Sequence, residues 1–135
     1  MVRSFSVRST RQGLHEITAK ATAIVRESGV EDGICVLFLQ HTSASLLIQE
    51  NADPSARADL EAWMNRLVPE RDPHFTHTLE GPDDMPTHIK AALTAVSLSI
   101  PVESGALALG TWQGIYLWEH RRSPHTRNIM VYVGG

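Results

Sequence analysis

Apolar and polar positions alternate loosely at the start of the chain, where Val2, Phe5 and Val7 lie among polar residues. This spacing predicts a first β-strand with one buried face. Residues 34–40 follow Gly33 and have apolar side chains on both alternating faces, which predicts a strand at the centre of the fold. The next apolar run, residues 44–49, is too short for an independent helix and predicts a neighbouring strand.

Two helices are predicted from the residues at their ends. Thr18 can cap a helix over residues 18–28, and Gly29 provides its left-handed stop. Asp53 can accept the free amide protons of a second helix, which begins with proline and covers residues 54–67. The predicted apolar face of this helix comprises Leu60, Trp63, Met64 and Leu67.

The second half of the chain contains one more helix and then strands. Residues 83–86, Asp-Asp-Met-Pro, predict a helix start, and apolar positions continue to Val96. Glycine-punctuated strands are predicted at 102–109, 115–120 and 128–133. The order β-α-β-β-α-loop-α-β-β-β predicts a single α+β domain over residues 1–135, with two packed sheets and about three helices on one side.

Composition narrows the function classes. The chain has 135 residues, 42% of them apolar, and a formal net charge of −3. A core of this size needs neither disulfides nor a structural metal, so a bound metal would be functional. The acidic balance disfavours nucleic-acid binding, and no apolar run approaches the roughly 18 residues of a membrane span. The single cysteine, Cys35, and the absence of a long apolar leader predict a cytoplasmic protein.

Three of the seven histidines, His41, His77 and His88, are candidate metal ligands. Neutral imidazoles suit zinc and similar ions, and three protein ligands with an open position are typical of catalytic sites. The spacings match no short metal motif, so the alternative is that each histidine is satisfied locally by a backbone carbonyl. Asp83 and Asp84 have two interpretations, either as a local helix cap or as a pair that caps and also orients a histidine or cation.

Candidate substrate contacts lie near the C-terminal strands. Trp112 lies between glycines and is either a pocket wall or a core or interface aromatic. Glu119 and the residue after it point to opposite faces of a regular strand, so only one of them faces a given pocket. Arg121, its two nearby arginines and Lys90 are either phosphate contacts or solvated surface charge.

Several strings of the sequence carry a specific family resemblance: HTSAS at 41–45, QENAD at 49–53, HTLEGPDDMP at 77–86, HIK at 88–90, LALGTWQG at 107–114 and EHR at 119–121. Together they resemble the YjbQ family over nearly the whole chain. Members are described as secondary thiamine-phosphate synthases with a β-sandwich core and a trimeric assembly, which implies a jelly-roll-like β-sandwich for this chain. The resemblance implies a homotrimer that joins a pyrimidine-methyl pyrophosphate to a thiazole phosphate and releases pyrophosphate.

The resemblance also implies roles for individual residues. His41, His77 and His88 would hold a divalent metal ion, zinc or magnesium, and Asp84 would orient a ligand or a water. Glu119 would act as an acid or base, while Lys90, Trp112 and Arg121 would contact the phosphorylated substrate. Two alternatives stay open: a metal-dependent hydrolase of a small phosphoester, and a non-catalytic trimer that binds a metabolite or metal.

Overall fold

A computed structural model describes all residues, 1–135, and contains eight strands and three helices. The strands are β1 (Val2–Ser9), β2 (Gly13–Glu16), β3 (Gly33–Leu39), β4 (Ala44–Glu50), β5 (Ser97–Glu103), β6 (Ala106–Leu107), β7 (Gln113–Glu119) and β8 (His125–Gly134). The helices are α1 (Thr18–Ser28), α2 (Pro54–Leu67) and α3 (Asp84–Leu93). A five-stranded antiparallel sheet has the order β1-β8-β3-β5-β6, and a three-stranded antiparallel sheet has the order β2-β7-β4. The predicted α+β fold with two packed sheets is confirmed.

The main core joins the two sheets and α1. Leu37 and Val131 from the large sheet, Leu46 and Leu117 from the small sheet, and Val25 from α1 belong to one buried cluster. A second cluster packs α2 and α3 against the other face of the small sheet, with Tyr116 and Trp118 at its centre. Burial of apolar area is the main stabilising contribution in such layers, at roughly 25 cal/mol per Å². None of the three helices has the length and apolar character that crossing a membrane requires.

Strand β3 lies within the large sheet, but the prediction that both of its faces are buried is wrong. Cys35, Leu37 and Leu39 point into the core, whereas Ile34 is 41% exposed and Phe38 is 47% exposed on the outer face. Tyr132 of β8 pairs with Val36 on that same outer face and is 46% exposed. We call this surface, formed by Ile34, Val36, Phe38, Met130 and Tyr132, the outer apolar face.

Several strand boundaries differ from the prediction. The sequence does not predict β2, because its four residues are too few for a recognisable alternation, yet β2 pairs with β7. Helix α3 ends at Leu93 and β5 starts at Ser97, so the predicted helix is too long and the predicted strand starts too late. The Pro101 carbonyl oxygen accepts a hydrogen bond from the Ala108 N–H, on the side of β5 that faces away from β3. In an antiparallel sheet the N–H and the carbonyl of one residue point to the same side, so the N–H that proline lacks would not have bonded to β3. Proline is therefore tolerated inside β5. The predicted strand 102–109 is broken by Ser104 and Gly105, which adopt φ values of 50° and 80°.

The helix ends follow the sequence only in part. The Asp53 carboxylate accepts a hydrogen bond from the Ser55 N–H at 2.9 Å, and Gly29 has a φ of 68°, as predicted. The predicted cap at Thr18 is wrong, because no side chain caps α1. On α2, Met64 is buried, but the prediction fails for two side chains that are about half exposed, Trp63 and Leu67.

Candidate functional site

Three polar side chains converge at the N-terminal end of α3. The Nε2 atom of His77 lies 2.6 Å from Asp84 Oδ2, and His88 Nε2 lies 3.0 Å from the same oxygen. Asp84 is 2% exposed, whereas the histidines are partly open to solvent. All three ligand atoms lie within 4.8 Å of one another. We call His77, Asp84 and His88 the His–Asp cluster.

The helix itself brings two members of the cluster together. Asp84 and His88 are four residues apart on α3, so their side chains share one helix face. His77 comes from the loop before α3. The predicted capping role of the acidic pair is wrong, because no side chain caps α3 and both carboxylates bond to residues distant in sequence.

Hydrogen bonds behind the cluster fix its orientation. The Nδ1 atom of His88 donates to the Thr42 carbonyl oxygen at 2.9 Å, which leaves Nε2 as the ring nitrogen that faces Asp84. The other Asp84 oxygen accepts a 2.8 Å bond from Arg121 Nη1. Burial raises the pKa of Asp84, but hydrogen bonds to His77 and His88 and the Arg121 charge outweigh it and lower this pKa.

The donor set fits a divalent transition metal. Two imidazole nitrogens and one carboxylate oxygen, with no fourth protein ligand, form a combination used by catalytic zinc sites. The bond from His88 to a backbone carbonyl is the outer support that metal-binding histidines usually have. Magnesium prefers oxygen ligands, so these residues suit zinc or a similar ion better than magnesium.

The structure places His41 outside this cluster. Its Nε2 accepts a 2.8 Å hydrogen bond from the Asn128 N–H, and its Nδ1 lies 3.4 Å from Arg127 Nη1. Burial and then the Arg127 charge lower the pKa of His41. A ring held by a backbone donor and an adjacent guanidinium has no lone pair free for the ion that His77 and His88 would share.

His41 and His88 instead border an open cavity of about 530 Å³ at the end of β3. Its other walls are mainly apolar and include Phe38, Ala91, Ala92 and Val96. We call it the apolar cavity. It adjoins the His–Asp cluster through His88, so a ligand can place an apolar ring in the cavity and a polar group near the cluster.

Glu119 is fully buried between the sheets. Its carboxylate accepts bonds from Arg127 Nε and Nη2 at 2.8 and 2.5 Å, from Ser9 Oγ at 2.5 Å and from the Arg121 N–H at 3.1 Å. Burial raises the pKa of Glu119, but the bonds from Arg127 and Ser9 outweigh it and lower this pKa. This environment suits a residue that positions Arg127 more than it suits the predicted acid or base.

Arg121 is also engaged inside the protein. It donates to Asp83 Oδ2 at 3.1 Å, to Asp84 Oδ1 at 2.8 Å and to the Glu80 carbonyl at 3.1 Å. All three guanidinium nitrogens of Arg121 therefore bond to residues 80–84, which lead into α3. The geometry gives Arg121 the role of orienting Asp84, in place of the predicted direct contact to substrate.

The remaining predicted substrate contacts lie apart from the cluster. Trp112 is 63% exposed in the turn before β7 and does not line the apolar cavity. Lys90 borders a different cavity of about 340 Å³, whose lining is polar and includes Gln12, Asn65 and Arg122. We call it the polar cavity. Burial lowers the pKa of Lys90, although Glu70 and Asp83 raise it.

A buried serine and histidine pair on the small sheet is not predicted by the sequence. Ser45 Oγ lies 2.9 Å from His120 Nε2, and both residues are at most 1% exposed. Burial and the Lys90 charge lower the pKa of His120 to about 3. No sequence signal pairs them, because only the register between β4 and β7 brings them together. The spacing of Asp84 and His88 was a signal, since i and i+4 share a helix face.

The fold and site thus define a class of small α+β sandwich proteins with a candidate His–Asp metal centre. A family model described as "UPF0047 protein YjbQ-like" matches residues 3–135, and the chain belongs to this family. It is 52% identical to a UPF0047 protein of Synechocystis over 124 aligned residues. The aligned region covers 92% of this chain and 84% of the relative. It is 44% identical to the UPF0047 protein YjbQ of Salmonella typhimurium, with 98% and 96% coverage.

Solved structures agree with this family assignment. A crystal structure of an uncharacterized conserved YjbQ/UPF0047 protein from Clostridium acetobutylicum superposes with a TM-score of 0.90 at 36% identity, covering 98% of this chain and 99% of that chain. A hypothetical protein from Aeropyrum pernix also gives a TM-score of 0.90, at 27% identity and with 100% and 98% coverage. The predicted YjbQ resemblance is confirmed at the level of the family and fold.

Proposed function

We propose that this protein is a metal-assisted transferase of the thiamine-phosphate synthase type. The observation that carries the proposal is the convergence of His77 and His88 on one Asp84 oxygen beside the apolar cavity. In the proposed reaction, a thiazole nitrogen bonds the methylene carbon of a pyrimidine-methyl pyrophosphate. The bond from that carbon to oxygen breaks, and pyrophosphate leaves with the electron pair.

In this proposal, the pyrimidine ring binds in the apolar cavity. Its volume of about 530 Å³ is within the usual range for small-molecule sites. Ala91, Ala92 and Val96 line it with apolar surface, against which the pyrimidine ring would pack. Gln40 and Thr42 supply polar groups at the same cavity for the ring nitrogens.

We assign the leaving pyrophosphate to the neighbourhood of the His–Asp cluster. His77, Asp84 and His88 would hold a divalent cation, which when bound supplies positive charge to the leaving pyrophosphate. The Thr42 carbonyl fixes the His88 ring, and Arg121 fixes the Asp84 carboxylate. These supports hold the ligands in place before substrate arrives, which is the condition for electrostatic stabilisation of a developing charge.

The direct test supplies both thiamine precursors and zinc to the purified protein and measures thiamine phosphate and pyrophosphate. We expect equal amounts of the two products and a loss of at least about 100-fold in His88→Ala and Asp84→Asn. His74→Ala is the matched control, because its side chain lies in the same loop as His77 and is 92% exposed. Full turnover by a folded His88→Ala protein would contradict the proposal.

A second candidate, hydrolysis of a small phosphoester, is favoured by the donor set itself. Two histidines and one carboxylate are the ligands of several zinc hydrolases. The same assay separates the two activities, since a hydrolase releases pyrophosphate or phosphate without thiamine phosphate. If neither product forms while metal is bound stoichiometrically, a non-catalytic metabolite-binding or metal-binding protein is the better interpretation.

We also propose that the protein is a cytoplasmic homotrimer with a phosphorylated small-molecule substrate. The outer apolar face supports self-association, because no element of the chain covers Ile34, Phe38 and Tyr132. Contiguous exposed apolar surface of this kind commonly marks a contact between proteins. Phe38 also borders the apolar cavity, so a neighbouring subunit there would lie close to the proposed site.

A further inference from the structure

Lys90 has an unusual position for a charged side chain. The residue is 4% exposed and borders the polar cavity. Its ammonium group has three donors, and the acceptor it bonds within the chain is Asn65 Oδ1 at 2.6 Å. No carboxylate oxygen lies within 4.0 Å of Lys90 Nζ, the distance at which the two groups would form an ion pair. Buried ammonium groups are costly unless their donors are satisfied, so the remaining donors call for a partner in the cavity.

The other charged groups around the polar cavity are already paired. Glu70 Oε2 forms an ion pair with Arg122 Nη2 at 2.8 Å. Asp83 Oδ2 accepts from Arg121 Nε and from the Arg122 N–H, both at 3.1 Å. Lys90 is therefore the one charged residue of the lining without an ionic partner. Glu70 and Asp83 attract the Lys90 ammonium group through space, but both carboxylates are held by arginines, so the ammonium group keeps hydrogen-bond donors free for a ligand.

From this arrangement we infer that the polar cavity is a second ligand site, which binds a small oxyanion through Lys90 and Arg122. The class of ligand is a phosphate or carboxylate group, because both accept hydrogen bonds from ammonium and guanidinium donors. Gln12 and Asn65 add amide groups to the lining, and the volume of about 340 Å³ is sufficient for a small metabolite. Neither the histidines nor the carboxylate of the His–Asp cluster line this cavity, so the inference does not rest on the proposed function.

The two sites are nevertheless connected through one arginine. Asp83 lines the polar cavity and bonds Arg121, and Arg121 also bonds Asp84 of the His–Asp cluster. The binding experiment must therefore separate anions in the polar cavity from anions at the cluster. The variants below alter one site at a time.

Isothermal titration calorimetry in low-salt buffer tests the site, with inorganic phosphate and acetate as probes in parallel. We expect at least one of the two anions to bind the unmodified protein. Lys90→Met should weaken that binding about tenfold or more, because it removes a charge-assisted contact but retains most of the length of the side chain. Lys20→Met is the matched control, since Lys20 lies on α1 and donates to the Ser6 carbonyl, and binding should stay within about twofold.

The position of the anion is checked with His88→Ala, which should bind the probe with unchanged affinity. Arg122→Gln serves if Lys90→Met does not fold, because the Arg122 side chain is 55% exposed and its loss spares the core. We expect about threefold or greater weakening in Arg122→Gln. Three results would overturn the inference: no binding of either anion, unchanged binding in the folded Lys90→Met or Arg122→Gln protein, or loss of binding in His88→Ala.

Discussion

The ion pair between Glu119 and Arg127 gives a prediction about stability, in which the size of the loss depends on pH. Both residues are at most 3% exposed, and Arg127 makes two of the bonds to the Glu119 carboxylate. Arg127→Met removes the cation and leaves a buried carboxylate with Ser9 and one backbone N–H. Breaking one side of a buried pair typically costs about 3 to 5 kcal/mol. For a domain of this size we expect the thermal midpoint to fall by roughly 10 to 20 °C.

The pH dependence follows from the Glu119 pKa. In the native protein this pKa is below its ordinary value of 4.5, so the group stabilises the fold at neutral pH and loses that contribution on acidification. Without Arg127, burial is the largest remaining influence and should raise the pKa of Glu119. The folded variant then favours the protonated carboxyl. The stability deficit of Arg127→Met should therefore be largest at pH 7 and smaller near pH 4.

Urea unfolding followed by tryptophan fluorescence at pH 7 and near pH 4, at one protomer concentration, measures this difference. Two variants complete the test. Glu119→Gln combined with Arg127→Met should recover part of the loss, because the unpaired charge is gone. Arg3→Met, which breaks an ion pair that is about half exposed, should cost less than about 1 kcal/mol. Equal deficits of Arg127→Met at both pH values would refute the reasoning.

Four further predictions concern the metal, the core, the assembly and the buried cysteine. Asp84→Asn should lower zinc content measured by elemental analysis at least about tenfold, since it replaces the carboxylate ligand, and stoichiometric zinc in this variant would contradict the cluster. Leu37→Ala should destabilise the fold by about 2 to 5 kcal/mol in urea unfolding, because Leu37 is fully buried. A smaller cost would mean that neighbouring core side chains move into the space that Leu37 leaves. Phe38→Glu should convert the proposed trimer to monomers in sedimentation velocity, whereas an unchanged trimer would place the interface elsewhere. Cys35 should not react with a thiol reagent until urea unfolds the protein, because burial raises the pKa of its thiol to about 11.

The family and much of the fold were accessible from sequence, since their signals are local. Asp53 followed by proline, and Gly29 after an apolar helix, define helix ends through backbone hydrogen bonding and φ angles that depend on one or two residues. The apolar run of β3 predicts a strand from its own side chains. The histidines at 77 and 88 were selected by residue type, and the i, i+4 spacing of Asp84 and His88 was present in the sequence.

The tertiary structure alone decided which polar residues meet. His41 is a histidine of the same chemical type as His77, but the end of β3 places it against the Asn128 N–H and not in the cluster. Glu119 and Arg127 pair across the two sheets, a contact that depends on how the layers pack and not on their separation of eight residues. Lys90 lies in its own cavity because α3 directs it away from the face of His88. Each of these outcomes is set by sheet register and helix packing, whose energies come from contacts between residues distant in sequence.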